Sequence, residues 1–216
     1  MSITAESVLD RLDLDRLLND SQFEWDLRQG VIFNPAKTRL CLFSADLLSG
    51  VYKALLDEAG EAWSLIFKHC GQIWGARLAR RLDREFQALG QSTLGELPLS
   101  TFLSTVRGYF AGHGWGVLDI EVERAQETGI VEARFRESVF AEVIREPQDM
   151  VDPMMSGILA SLLSHLANVS LDCVQTTCIS RGAPASRFLI SAASRLEEVP
   201  SRLRAGATHD ELVGSL

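Results

Sequence analysis

The chain has no run of 18 consecutive apolar residues, so no segment is expected to cross a membrane as a helix. Cysteine is scarce and scattered. Cys41, Cys70, Cys173 and Cys178 are too few and too widely spaced in 216 residues for a disulfide scaffold, and reduced thiols are expected. An excess of clustered Lys and Arg is also missing. A formal net charge of -8 and a pI near 5.0 oppose binding to a phosphate backbone, so no nucleic-acid partner is expected. Met1 to Glu6 shows no basic region followed by an apolar stretch, hence no secretion signal is read there and a cytoplasmic location is expected. Gly-X-Ser-X-Gly, the phosphate-binding loop, His-Glu-X-X-His and the dinucleotide fingerprint are all absent, and nothing in the sequence would hold a nicotinamide or a flavin.

The chain does contain enough apolar material, 46% of its residues, for one domain burying about two-thirds of its unfolded surface. Val8, Leu9, Leu12, Leu17 and Leu18 predict a short amphipathic helix over residues 5–19. Asn34-Pro35-Ala36-Lys37 predicts a turn, with a strand from Arg39 to Phe43. Residues 45–59 and 61–89 read as helices broken at Gly60; the second carries Trp63, Ile66, Phe67, Cys70, Trp74, Leu78, Leu82 and Phe86 at helical spacing. A further helix through Phe102 and Phe110 is stopped by Gly112-His113-Gly114-Trp115-Gly116. Period two then takes over. Leu118, Ile120 and Val122 alternate with acids, Val131, Ala133 and Phe135 alternate with Glu132, Arg134 and Arg136, and Gln126 to Gly129 suits the loop of a hairpin. Asp152-Pro153 opens a helix over 153–168, strands follow near 171–179 and 186–193, and Thr208-His209-Asp210-Glu211 forms a capping box. This order predicts an α+β fold, an antiparallel sheet covered by helices.

Three blocks carry a family resemblance: Gly71-Gln72-Ile73-Trp74-Gly75, then Arg134 to Glu142, then Gly157 through Phe188 with Cys178-Ile179-Ser180-Arg181-Gly182-Ala183-Pro184-Ala185-Ser186. Together they resemble the 4-vinyl reductase family, whose ligand-binding fold has the same α+β architecture. Val139 stands where that family commonly has Pro, and Ser186 stands where it has a second Cys. The resemblance implies an N-terminal helix and arm over 1–39, the domain proper over 40–193 and a C-terminal helical tail over 194–216. Metal-binding members draw Cys and Glu ligands from the start of the penultimate helix and the two closing strands. Here the matching positions are Met154 or Met155, Asp172 or Gln175, Cys178 and Ser186; most are poor zinc ligands, and no metal is expected. Cys173, five residues from Cys178 along a regular strand, would face the other way.

Gly71, Gly75 and Ala79 recur every fourth residue and form a stripe poor in side chains. Each glycine costs roughly 1 kcal/mol relative to Ala in a helix, so a close contact must offset it. Two readings stay open, close helix packing, within the chain or at a dimer axis, or contact with a flat ligand. The ligand reading nominates Phe67, Gly71, Trp74, Gly75 and Phe110. Arg77 and Arg81, from the cluster Arg77, Arg80, Arg81 and Arg84, are candidates for a carboxylate clamp, the alternative being a solvated basic face near the helix end. His69, His113 and His165 are separate in sequence; each is either an axial ligand to a tetrapyrrole metal or an ordinary hydrogen-bonded side chain. No catalytic residue is nominated. The expectation is a non-catalytic, homodimeric binding protein for a hydrophobic or aromatic molecule. The resemblance suggests a tetrapyrrole or pigment precursor as ligand and an accessory role in pigment or photosynthetic complex biogenesis. A dimeric assembly factor with a vestigial pocket and an enzyme acting on a vinyl tetrapyrrole are the alternatives.

Overall fold

A computed structural model describes residues 23–88, 92–145 and 149–216. The amphipathic helix read over 5–19 lies outside these residues. The described chain opens with a small antiparallel meander, β1 (Glu24–Asp26), β2 (Val31–Phe33) and β3 (Arg39–Leu40). Its first two strands fall in a mixed polar and aromatic stretch with no clean alternation, and the strand read to Phe43 ends at Leu40. The expected turn joins β2 to β3, with the Lys37 amide donating to the Asn34 carbonyl at 2.9 Å. That turn is tied to the body by buried Glu85, which accepts from Asn34 Nδ2 at 2.9 Å and from the Thr38 hydroxyl.

Helix α1 (Ala45–Ala59) and helix α2 (Trp63–Ala88) are separated at Gly60, where φ is +54°. Helix α3 (Leu99–Gly112) precedes β4 (Val117–Glu121), and a helical turn α4 (Ala125–Thr128) occupies the loop before β5 (Val131–Arg136). The short α5 (Val139–Ile144) follows, then α6 (Pro153–Ala167), β6 (Asp172–Thr177) and β7 (Ser186–Ser191). The main sheet runs β4-β5-β7-β6, antiparallel throughout. Leu118, Ala133, Phe135, Phe188, Ile190 and Cys173 face the core beneath α2, α3 and α6. Leu189 points to the opposite face, where Leu196, Val199, Leu212 and Val213 of α7 (Ala193–Leu196), α8 (Val199–Arg204) and α9 (His209–Ser215) cover it. The C-terminal segment is therefore packed structure. Polar pairs form across the hairpin, Arg134 to Glu121 at 3.0 Å and Arg136 to Asp119 at 2.9 Å.

The glycine stripe is used up inside the chain. A Cβ added at Gly71 would sit 2.0 Å from the Met154 carbonyl oxygen, one at Gly75 would sit 2.7 Å from that of Ile158, and one at Gly157 would sit 2.0 Å from that of Lys68. Helices α2 and α6 thus meet backbone to backbone, the close helix packing read from the stripe, made within the chain; it accounts for Gly71 and Gly75 without a ligand contact or a dimer axis. The parity argument for the thiols also changes. A bulge at Thr176 sets Gln175 and Thr177 against neighbouring residues of β7, so β6 is not regular; Cys173 lies in the main core and Cys178 in a second cluster with Phe67 and Phe140.

Candidate functional site

An aromatic seam runs along α2 and into the loop after α3. Trp63 meets Tyr52 and Phe67 edge to face, Phe67 meets Phe140, Phe140 meets Trp115, and Trp115 stacks on Trp74 at 4.8 Å between centroids with planes 19° apart. Trp115 is placed by its loop. Gly114 and Gly116 take φ of +70° and +133°, the Trp115 amide donates to the Phe110 carbonyl at 3.0 Å, and its carbonyl accepts from the Val139 amide at 3.1 Å. The ring is left half-buried between the helices and the meander.

Two adjoining crevices open at this ring. One, of about 450 Å³, is walled by Phe23, Trp25, Leu40, Leu42, Phe43 and Trp115 with His113 at one end. The other, of about 280 Å³, lies between Trp115, Phe43, Leu48 and Val139. The walls are apolar, yet Leu42 and Phe43 remain 68% and 52% exposed. His113 Nδ1 lies 2.8 Å from the Tyr109 carbonyl, so that nitrogen donates, and its ring stacks on Tyr109 at 4.2 Å. Burial pushes the Tyr109 hydroxyl pKa up, against the pull of the Arg81 guanidinium bonded to it.

The nominated residues separate. Phe67 and Phe110 are 1% and 0% exposed and are core rings, while Trp74 reaches the seam only as the base beneath Trp115. Of the clamp, Arg81 is committed to Tyr109 and stands 3.6 Å from Glu85; Arg77 is exposed on an open trough of about 730 Å³ shared with Trp74, Arg80 and Arg84. His69 is exposed, His165 pairs with Asp83 at 2.6 Å, and neither borders the crevices. In the sequence Trp115 stands among the aromatics that could line a pocket or be plain core, and the Leu40–Phe43 wall reads only as a strand. The run of three glycines around His113 and Trp115 was the available signal, because so sharp a redirection exposes whatever ring sits inside it.

A second constellation is polar and buried. Asp152, the residue preceding α6, is fully covered. It accepts from the Ser138 and Ser186 hydroxyls and from Gln175 Nε2 at 3.1 Å, with Cys178 Sγ at 3.9 Å, while its own amide donates to Gln175 Oε1 at 3.2 Å. Burial raises the Asp152 carboxyl pKa, opposed by those same hydrogen bonds. Three positions implied by the resemblance, Gln175, Cys178 and Ser186, do converge, but their fourth neighbour is Asp152 and not Met154 or Met155; Asp172 instead pairs with Lys68 at 2.7 Å. One thiol, one carboxyl, an amide and a hydroxyl, each already bonded to its neighbours, do not make a zinc ligand set. Among the described residues no group of three or more His, Cys, Asp and Glu is placed to hold a metal ion.

On the other side of the sheet the bulge aims the Thr176 hydroxyl at His209 Nδ1, 2.5 Å away, and His209 Nε2 lies 2.9 Å from Glu132, which Arg187 also contacts at 3.2 Å. The order of groups resembles a hydroxyl-imidazole-carboxylate relay. However, Thr176 and His209 are each 4% exposed, and the same hydroxyl lies 3.1 Å from the Arg187 carbonyl, so the arrangement ties α9 to the sheet and presents no nucleophile.

No family model matches the chain, and no curated protein matches it significantly. Solved structures do. The chain has the α+β fold of the 4-vinyl reductase type, shared with a vinyl-4-reductase family protein from Methanocaldococcus jannaschii at 11% identity, TM-score 0.50, over 88% of this chain and 98% of that one. It is similar also to the phenol-responsive sensory domain of the transcription activator PoxR, solved with phenol, at 19% identity and TM-score 0.65 over 94% of this chain and 98% of that one. A third likeness is trafficking protein particle complex subunit 3 from Naegleria fowleri, covalently bound to palmitic acid, at 14% identity and TM-score 0.51 over 68% of this chain and 93% of that one.

Proposed function

We propose that the chain is a non-catalytic binding domain for a small apolar or aromatic molecule, and that the molecule seats in the crevice between the meander and Trp115. The observation that carries this is the wall of that crevice: aromatic and aliphatic side chains around about 450 Å³, with one imidazole as its polar end. The folds shared with a phenol-bound sensory domain and a palmitate-bound subunit support it. The basic trough on α2 is larger but open and lined by guanidiniums, and removes little apolar surface from water. Described groups for chemistry at the crevice amount to His113 and the Cys41 thiol, which favours binding over turnover. The finer reading, a tetrapyrrole held by an accessory factor of pigment biogenesis, rests on the resemblance.

The test is tryptophan fluorescence titrated separately with phenol, palmitate and a free-base porphyrin, on the parent chain and on Trp115→Ala. Quenching by phenol or palmitate that is lost in Trp115→Ala supports the crevice; saturable quenching by the porphyrin alone supports the tetrapyrrole reading. No response to any of the three below about 100 µM overturns ligand binding. The second reading, a homodimeric assembly factor with a vestigial pocket, then stands. It is favoured by the filled core, where Phe102, Phe110, Phe135 and Phe188 are all fully buried between the helices and the sheet.

A further inference from the structure

The carboxyl-terminal half of α2 concentrates positive charge on a chain that is acidic overall. Arg77, Arg80, Arg81 and Arg84 fall within eight residues, against a formal net charge of -8. At about 100° and 1.5 Å per residue, Trp74 and these four arginines share an arc of about 120° along about 15 Å of helix. They wall the open trough of about 730 Å³, to which Trp74 and Leu78 contribute the apolar surface.

The fold does not neutralise this cluster. Arg77 and Arg81, and Arg80 and Arg84, stand four residues apart, and like charges at that spacing weaken a helix. The two carboxylates of the same stretch serve other elements. Asp83, which also borders the trough, accepts from the Leu94 amide at 2.8 Å and pairs with His165 at 2.6 Å. Glu85 is buried, accepts from Asn34 and Thr38, and reaches among the arginines Arg81 alone, at 3.6 Å. Arg81 is held by the Tyr109 hydroxyl, whereas the exposed Arg77, Arg80 and Arg84 have no ion-pair partner among the described residues. The helix dipole does not account for them either. It favours cations in the last turn, and Arg77 and Arg80 stand two turns or more before Ala88.

We propose that the trough binds a small organic polyanion, a molecule carrying two or more phosphate or carboxylate groups. Guanidiniums grip either group through paired N–H donors. Arg77 and Arg84 lie about 10 Å apart along the axis, so a single charge does not satisfy both. A bound polyanion also relieves the repulsion among the four cations, which turns a cost of the free helix into affinity. Elsewhere a chain of net charge -8 repels such a molecule, so its retention reports this patch. The trough shares no wall residue with the Trp115 crevice, and the site stands or falls separately from apolar binding.

The test is calorimetric titration of the full chain at low salt, with tripolyphosphate and with citrate as probes. At least one is expected to bind with a Kd below about 100 µM. Tripolyphosphate alone supports the site and assigns it to phosphates; citrate alone supports it and assigns it to carboxylates. Arg77→Gln with Arg84→Gln should weaken binding about tenfold at an unchanged circular dichroism spectrum. Arg124→Gln with Arg204→Gln removes the same charge from the residue preceding α4 and from α8, and should leave binding as it is. No binding of either probe below about 1 mM overturns the proposal, and so do equal losses in the two double variants. Phenol quenching should be the same in all these proteins; its absence from the parent chain would overturn the crevice and leave the trough in place.

Discussion

Helix α2 has two tight seams that differ in what they leave behind. Against α6 the contact is made by glycines and main chain, with added methyl groups colliding at 2.0 Å, so no volume remains for anything else. Around Trp74 and Trp115 the contact is made by rings, which meet face to face and edge to face but cannot tile a surface, and crevices open at their border. Glycine makes a joint, whereas aromatic rings make a joint with a mouth. The sequence stripe that most suggested a ligand belongs to the first kind.

The comparison breaks most visibly if the glycine seam tolerates bulk. Gly71→Val is expected to cost about 3 kcal/mol or more, since carbonyl groups of another helix cannot step aside as side chains do, and urea unfolding would measure it. A cost under 1 kcal/mol would mean that the helices are further apart than described. Asp152→Ala should follow at about 2–3 kcal/mol, because Ser138, Ser186 and Gln175 would lose a shared acceptor in a buried place. The aromatic seam should respond in affinity instead of stability. Trp115→Ala should weaken phenol binding by about tenfold, with Trp74→Ala, one ring further in, nearer threefold, both by fluorescence or calorimetry. Equal losses in both would move the ligand to the trough side of α2.

A smaller effect is expected at His209, across the sheet. Burial lowers its pKa, with the bond to Glu132 pulling the other way and the neighbouring Arg187 adding to the drop. The unfolded chain then binds the proton more readily, so stability falls as pH drops through the ordinary imidazole range near about 6.5 and is fully present above it. Melting temperatures between acid and neutral pH should show that slope in the parent chain and lose most of it in His209→Gln, which keeps an amide toward Glu132. Smallest of all is the response to chelator: with the Asp152 cluster already hydrogen-bonded to itself, the melting temperature should not move, and stoichiometric zinc by elemental analysis would contradict this.

Period and punctuation made much of the fold readable. The three-and-four spacing of α2, the alternation of β4 and β5, the Gly60 break and the Thr208 capping box all appear where the residues place them. Strand order did not, because placing β7 between β5 and β6 depends on contacts distant in sequence. Nor did β1 and β2, three residues each with no buried side chain, which carry no pattern to read. The crevice was legible only in part, for a related reason. Phe67, Trp74 and Phe110 look alike in a sequence, and only packing separates a core ring from one at a rim. The bulge at Thr176 is invisible to any argument from regular parity, and it decides where Gln175, Thr176 and Cys178 point.

Glu85 has a kinetic corollary. The meander that forms one wall of the crevice buries none of its strand side chains fully, and its Asn34–Thr38 turn is pinned by that one carboxylate at the far end of α2. Such a flap can lift without the domain unfolding, so amide hydrogens of β1–β3 should exchange through local opening well before those of β5 and β7. Guest entry would then be timed by the lifting of the flap and not by diffusion, and a bound guest would slow exchange in Val31–Phe33 while leaving the main sheet unchanged.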